Sequence, residues 1–294
     1  MTPSLIILND GTRMPAIAYG LGTAHVPQFT KHFGLPELDS TQLLVDVLKL
    51  GYRHIDTAEH YYKDSEITAA IEKSGIARQD IFLTSKADCN NGLSVDEALG
   101  QQLANVELDY FDSYLIHNPR FAKTDKDLQD KWKEMEKAHE SGRVKSIGVS
   151  NFTKAQLEAI LKVATIKPTV NQFEYHPYDQ HDDLLEWMKS LDILPFCYSA
   201  LAPVIRGRPG PVDGIFGELA TKYGVTEGDI AIKWCLDQGL AVATTGKNLG
   251  RLKGYLEDFS RFELTESEIE EIRGLGLQKH FSNYMQMGGV GPAS

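Results

Sequence analysis

The chain is poor in cysteine. Its 294 residues include three, Cys89, Cys197 and Cys235, with no paired spacing. That excludes a disulfide-stapled scaffold or a cysteine-rich metal centre and suits a reducing compartment. Long apolar runs are absent as well: nothing approaches the ~20 consecutive residues of a membrane-spanning helix. Met1–Asp10 lacks the basic stretch, apolar core and small-residue site of an export signal. A soluble cytoplasmic protein is therefore expected, and the sequon Asn151-Phe152-Thr153 reads as a chance match. Positive charge is in deficit, with 30 Lys and Arg against 41 Asp and Glu and a net charge of −11. Such a surface repels phosphate backbones, so no nucleic-acid or membrane partner is expected. Familiar motifs are missing too. Gly20-Leu21-Gly22 continues into Thr23-Ala24-His25, without the third glycine of a dinucleotide fingerprint. There is no Gly-x-x-x-x-Gly-Lys phosphate loop, no nucleophilic-serine elbow and no His-Glu-x-x-His motif, so hydrolysis is unattractive and no metal is expected.

What the sequence does have is alternation. Leu5 to Leu21 reads as a strand, a turn at Asn9-Asp10-Gly11 and a second strand, a hairpin signal. Short β-branched or aromatic runs predict eight strands near Ala16–Gly20, His54–Asp56, Ile81–Lys86, Ser113–His117, Ser146–Val149, Thr169–Phe173, Leu194–Tyr198 and Ala241–Thr244. Amphipathic stretches between them open near Ser40, Ser94, Asp125, Thr153, Asp182, Gly214, Thr226 and Asn248. Capping boxes mark Ser94/Glu97 and Thr265/Glu268, the latter opening a further helix to Gly274. Strand–helix alternation without more hairpins implies parallel strands and crossover helices. The expected fold is α/β: a (β/α)8 TIM barrel spanning one domain over 1–294, with an N-terminal β-hairpin at its bottom and a C-terminal extra helix and loop. Two segments exceed the usual βα connection, Thr23 to Leu38 and Ala200 to Asp213; both follow strand ends, where barrels of this kind carry active-site loops.

Asp56, Lys86 and His117 each close a short apolar run, 30 and 31 residues apart. In a barrel that spacing puts an acid, a base and an imidazole side by side at the C-terminal mouth of three neighbouring strands. Tyr61 lies in the loop after Asp56, within reach of the same mouth. The set suggests proton donation. A phenol of pKa ~10 is too weak an acid at neutral pH, and a nearby ammonium is expected to lower that value. The aspartate would hold the ammonium, and the histidine could donate to a carbonyl oxygen, forming a general-acid set for a carbonyl that receives a hydride.

Four stretches carry a resemblance to a known family. Gly51-Tyr52-Arg53-His54-Ile55-Asp56-Thr57-Ala58-Glu59-His60-Tyr61, Leu115-Ile116-His117, Ile147-Gly148-Val149-Ser150-Asn151-Phe152 and Asn171-Gln172-Phe173-Glu174-Tyr175-His176-Pro177 look like the aldo-keto reductase superfamily, in order and from the hairpin to about Gly276. The resemblance implies a catalytic tetrad of Asp56, Tyr61, Lys86 and His117, with Tyr61 as the acid, and NADPH extended across the barrel mouth without a Rossmann domain. It further implies nicotinamide contacts from Ser150, Asn151 and Gln172, ring stacking on Tyr198, and cofactor contacts from Ser199 and Leu201. His176 reads as a structural hydrogen-bonder; His54 and His60 are undecided, with His60 a candidate substrate contact.

Two regions depart from the family pattern. After the last strand the family usually reads Pro-Lys-Ser and then an arginine, which grip the 2′-phosphate of NADPH. Here the chain has Thr244-Thr245-Gly246-Lys247 and then Arg251, so the arginine is in register and the lysine displaced by two residues. Lys247, Arg251 and the Thr244, Thr245 and Gly246 turn are the expected phosphate grip. Arg206 and Arg208 either close over the pyrophosphate or are exposed loop charges. In the substrate region Ala24 and Asn118 stand where the family often has tryptophan, which implies a wider, more polar pocket. Asn118 either bonds a substrate oxygen or caps the next loop. Phe281, Tyr284, Met285 and Met287 are candidates for the substrate-side wall. Thr244-Thr245, Arg251-Leu252-Lys253 and Phe262-Glu263-Leu264-Thr265-Glu266 resemble fungal members that reduce conjugated polyketones and α-dicarbonyls. The leading expectation is thus an NADPH-dependent reductase of an activated ketone or α-dicarbonyl, acting as a monomer. The alternatives are a biosynthetic reductase for one large intermediate and a cofactor-binding accessory protein.

Overall fold

The computed structural model describes residues 4–22, 25, 31, 39–61, 63–257, 259 and 261–283. Strands β1 (Leu5–Ile7) and β2 (Arg13–Pro15) form an antiparallel hairpin around the Asn9–Gly11 turn. Eight further strands follow: β3 (Ile17–Gly20), β4 (His54–Asp56), β5 (Phe82–Ala87), β6 (Phe111–Ile116), β7 (Val144–Ser150), β8 (Val170–Glu174), β9 (Leu194–Tyr198) and β10 (Ala241–Thr244). They pair in chain order, all parallel, and β10 closes on β3 through Val242↔Ile17, Ala243↔Ala18 and Thr244↔Tyr19. This is the (β/α)8 barrel expected from the alternation.

The hairpin stoppers the N-terminal end. Leu8 and Met14 share one buried cluster with Ala18, Phe82, Leu115, Val170, Phe196 and Ala241, contributed by six barrel strands. Burying a side chain of that size stabilises the fold by about 1.5–3 kcal/mol. His54, undecided from sequence, belongs to this floor: its Nδ1 lies 3.0 Å from the Pro15 carbonyl and its Nε2 2.8 Å from Thr84 Oγ1. The larger core lies between the barrel wall and the helices, with Leu44, Leu48, Trp132, Met135 and Trp234 packed inward.

The helices follow their caps. Ser94 and Thr265 form the expected capping boxes with Glu97 and Glu268, and Thr124, Thr153 and Thr226 make three more. Helix Ser40–Leu50 ends where Gly51 takes φ 118°, a left-handed cap that favours glycine. A helix not anticipated runs Asp64–Ser74, packed through Ile67, Ala70 and Ile71. Its N-cap, Lys63, makes no side-chain cap bond, so the usual start signal is missing. Among the described residues no helix is long and apolar enough to cross a membrane.

Candidate active site

Neighbouring strand ends bring the four convergent residues together. Asp56 ends β4, Lys86 lies on β5 and His117 follows β6. Tyr61 closes a short 3-10 turn, Glu59–Tyr61, held by its own N–H to the Ala58 carbonyl at 3.0 Å. Lys86 Nζ donates to Asp56 Oδ1 and to the Thr57 carbonyl, both at 2.7 Å. The other carboxylate oxygen, Asp56 Oδ2, accepts from Gln172 Nε2 at 2.8 Å. The Lys86 ammonium also sits 5.5 Å from the centre of the Tyr61 ring.

The expected lowering of the Tyr61 pKa does not occur. Burial raises it and the Asp56 charge adds to the rise, while the Lys86 ammonium is bonded to Asp56 and Thr57 rather than to the phenol oxygen. Tyr61 is therefore a neutral phenol that keeps its proton at physiological pH. Lys86 is itself pulled down by burial, with Asp56 opposing the fall.

His117 is buried deeply enough that its pKa falls well below the ordinary value, and the charges of His60, Lys86 and Arg120 push it the same way. The ring is a neutral imidazole whose Nδ1 has no hydrogen-bond partner among the described residues. His60 lies face to face on it, with centroids 4.4 Å apart and planes 5° from parallel. His60 Nδ1 is 3.8 Å from Asp88 Oδ2. Tyr61 meets the same His117 ring edge-on at 5.7 Å.

On the other side of the mouth a second polar network is joined to the first. Tyr198 Oη donates to Asn151 Oδ1 at 2.7 Å, while Asn151 Nδ2 donates to the His117 carbonyl and to Ser150 Oγ, each at 3.0 Å. Ser150 Oγ donates to the Gln172 carbonyl at 2.8 Å. Asn151 and Ser199 both take left-handed φ values, each 63°, just after β7 and β9. Leu201 follows in the same loop, its carbonyl accepting from Val204 N at 3.1 Å.

Thr244 ends β10, and the turn after it holds Thr245 and Gly246. Both threonine hydroxyls are buried without a hydrogen-bond partner among the described residues. Lys247 and Arg251 are exposed at the start of helix Leu249–Glu257, and Asn248 Oδ1 caps it by accepting from Arg251 N at 3.0 Å.

Other expectations resolve differently. Asn118 takes the capping alternative, its Oδ1 accepting from Arg120 N at 3.1 Å. Arg208 pairs with Glu227 and with Asp213, and Arg206 reaches Asn283 Oδ1 at 3.3 Å, so neither is a bare loop charge. His176 is structural: its Nε2 lies 3.2 Å from Glu174 Oε1 and its Nδ1 accepts from Tyr178 N. Phe281 leans on His176, with centroids 6.3 Å apart. Ala24, Tyr284, Met285 and Met287 lie outside the described residues.

Sequence reasoning missed three contributors. Gly22 clears the space over Tyr61: a Cβ there would stand 3.1 Å from Tyr61 Oη and 3.2 Å from Cζ. Glu59 braces the turn that carries Tyr61, accepting from Asp88 N and Asn91 Nδ2 at 2.8 Å each. Thr57 acts through a backbone carbonyl, which no side-chain motif can report.

Comparison with known proteins shows the family and the fold. The profile of the Aldo/keto reductase family matches residues 18–276. The chain is 35% identical over 285 residues to the NAD/NADP-dependent indole-3-acetaldehyde reductase of Schizosaccharomyces pombe, covering 96% of this chain and 99% of that protein. It is also 35% identical over 288 residues to the NADPH-dependent alpha-keto amide reductase of Saccharomyces cerevisiae, covering 92% of this chain and 90% of that one. The crystal structure of the Bombyx mori aldo-keto reductase in complex with NADP superposes with a TM-score of 0.86 at 27% identity, over 100% of both chains.

Proposed function

Because the chain belongs to the aldo/keto reductase family, we propose that it reduces a ketone or aldehyde to an alcohol with NADPH, using Tyr61 as the general acid. The observation that carries this reading is the convergence of Asp56, Lys86, Tyr61 and His117 at one barrel mouth, joined through Gln172 to the Ser150–Asn151–Tyr198 network.

The residues present fit the cofactor at both of its ends. Gln172, Ser150 and Asn151 offer amide and hydroxyl groups beside the reacting centre, and Tyr198 a ring to stack on. At the far end, two orphaned threonine hydroxyls and two exposed cations surround a helix start, where N–H groups favour a phosphate. Arg251 suits paired phosphate contacts, and Lys247 acts as a flexible point charge. When bound, a reduced nicotinamide supplies the hydride.

The chain's own residues handle the proton. Tyr61 holds its proton on Oη and passes it to the carbonyl oxygen as negative charge builds there. The Lys86 ammonium, 5.5 Å from the Tyr61 ring centre, is the nearby positive charge for the resulting phenolate, and a preorganised charge in a dry site stabilises a developing anion. Asp56 keeps that ammonium charged and aimed. His117, neutral, donates a hydrogen bond to the same oxygen from the ring nitrogen facing the mouth. General-acid catalysis of this kind contributes about 10²–10⁴-fold.

For the substrate we favour an activated ketone or α-dicarbonyl. The imidazole of His60 borders the mouth where an apolar wall would suit a simple aldehyde, and the alpha-keto amide substrate in the name of the yeast relative points the same way. The test is turnover of NADPH with an α-diketone, an α-keto amide and a sugar aldehyde in parallel. Higher kcat/KM for the first two supports this choice, and preference for the sugar aldehyde overturns it.

A further inference from the structure

One buried polar chain has no part in the proton chemistry. Tyr19 stands opposite Thr244 in the β3–β10 pairing and is fully buried. Its hydroxyl donates to the backbone carbonyl of Gly246 at 2.8 Å. The same oxygen lies 2.9 Å from His25 Nε2, and His25 Nδ1 lies 2.9 Å from Ser40 Oγ.

Proton counting fixes the direction of these bonds. A carbonyl can only accept, so the single Tyr19 hydroxyl proton goes to Gly246 and Tyr19 accepts from His25 Nε2–H. Burial pushes the His25 pKa down to about 4, with the Lys63 charge adding to the fall and Glu66 opposing it. The ring is neutral at physiological pH, and its Nδ1 accepts from the Ser40 hydroxyl. The bonds therefore run one way, from Ser40 through His25 and Tyr19 to the Gly246 carbonyl, and aligned bonds strengthen one another.

The consequence falls on Lys247. In a planar trans peptide the carbonyl and the following N–H point in opposite directions. Holding the Gly246 carbonyl inward turns the Lys247 N–H outward and fixes where the Lys247 side chain leaves the backbone. The turn so held follows Thr244, whose hydroxyl is buried without a hydrogen-bond partner among the described residues, and carries Thr245, whose side chain interacts with Tyr19 and opposes the rise that burial gives the Tyr19 pKa.

We propose that Tyr19 is a positioning residue for nucleotide selectivity: backed by His25 and Ser40, it fixes the Gly246–Lys247 peptide so that the turn meets the extra phosphate that separates NADPH from NADH. The inference rests on the cofactor reading above.

The test is titration of NADPH and of NADH into the wild-type protein, Tyr19→Phe and Ser40→Ala, with hydrogen exchange of the amides of 244–248 in the free proteins. Losing the anchor raises the NADPH Kd of Tyr19→Phe about tenfold, with less than a twofold change for NADH and faster exchange confined to the turn. Ser40→Ala, distant from the turn, gives a smaller change of the same sign, and His25→Gln, which restores a donor at the Nε2 position, binds better than His25→Ala. Equal losses for the two nucleotides, or an unchanged ratio with unchanged exchange, overturn the inference alone. A wild-type protein that binds neither nucleotide overturns the cofactor reading and the inference with it.

Discussion

Gln172 reaches the Asp56 carboxylate directly, its Nε2 2.8 Å from the oxygen that Lys86 does not use. Gln172 on β8 and Lys86 on β5 thereby share one carboxylate, which couples the two side chains across the barrel.

Asp56→Asn exposes that coupling. Lys86 is buried, with 1% of its side chain exposed, and the variant leaves its charge without a counter-ion. Breaking one partner of a buried pair costs about 3–5 kcal/mol. The expected outcome is a lower denaturation midpoint together with at least a hundredfold loss of kcat, as the lysine sheds its proton. Wild-type turnover in Asp56→Asn would show that Lys86 needs no such partner.

Gly22→Ala probes the space over Tyr61. A methyl 3.1 Å from the phenol oxygen makes the ring give by a few tenths of an ångström, a fraction of the roughly 1 Å misplacement that costs on the order of 10²-fold. Steady-state kinetics should show kcat reduced roughly 3–10-fold with NADPH Kd within about twofold of wild type. A parallel loss of nucleotide affinity would place Gly22 in the cofactor site instead.

Buried histidines contribute an acid dependence of stability, His54 and His25 together with His117. Burial pushes the pKa of His54 and of His25 from 6.5 down to about 4 in the folded chain. Between those values the unfolded chain binds protons that the native state does not, so stability rises with pH. This contribution is complete above about pH 6.5 and is lost as pH falls toward about 4. Urea midpoints measured across this window should fall for wild type and fall less for His54→Asn, whose amide keeps a donor toward the Pro15 carbonyl. Parallel pH curves for the two proteins would contradict the assignment.

Much of this was legible in the chain because the relevant signals are short-range. Strand runs at His54–Asp56, Leu194–Tyr198 and Ala241–Thr244 have the bounds expected of them, and repeat spacing alone placed Asp56, Lys86 and His117 on adjacent strands. Helix Asp64–Ser74 escaped because Lys63 provides no cap. The direction of the Tyr61 pKa differs from the sequence expectation because it is set first by burial of the phenol, a result of packing that residue types near one another in sequence do not report. The contacts of Gly22 with Tyr61 and of Tyr19 with Gly246 join segments far apart in sequence through packing, which no local pattern encodes.

The most direct test of the central claim is a single turnover of protein premixed with NADPH and then with an α-diketone, run for wild type and Tyr61→Phe with nucleotide affinity measured alongside. The account predicts equal NADPH binding by both proteins, rapid NADPH oxidation by wild type and a rate at least 10²-fold lower for the variant, the loss of a general acid. Oxidation by Tyr61→Phe at the wild-type rate would contradict it, since the proton would then come from elsewhere.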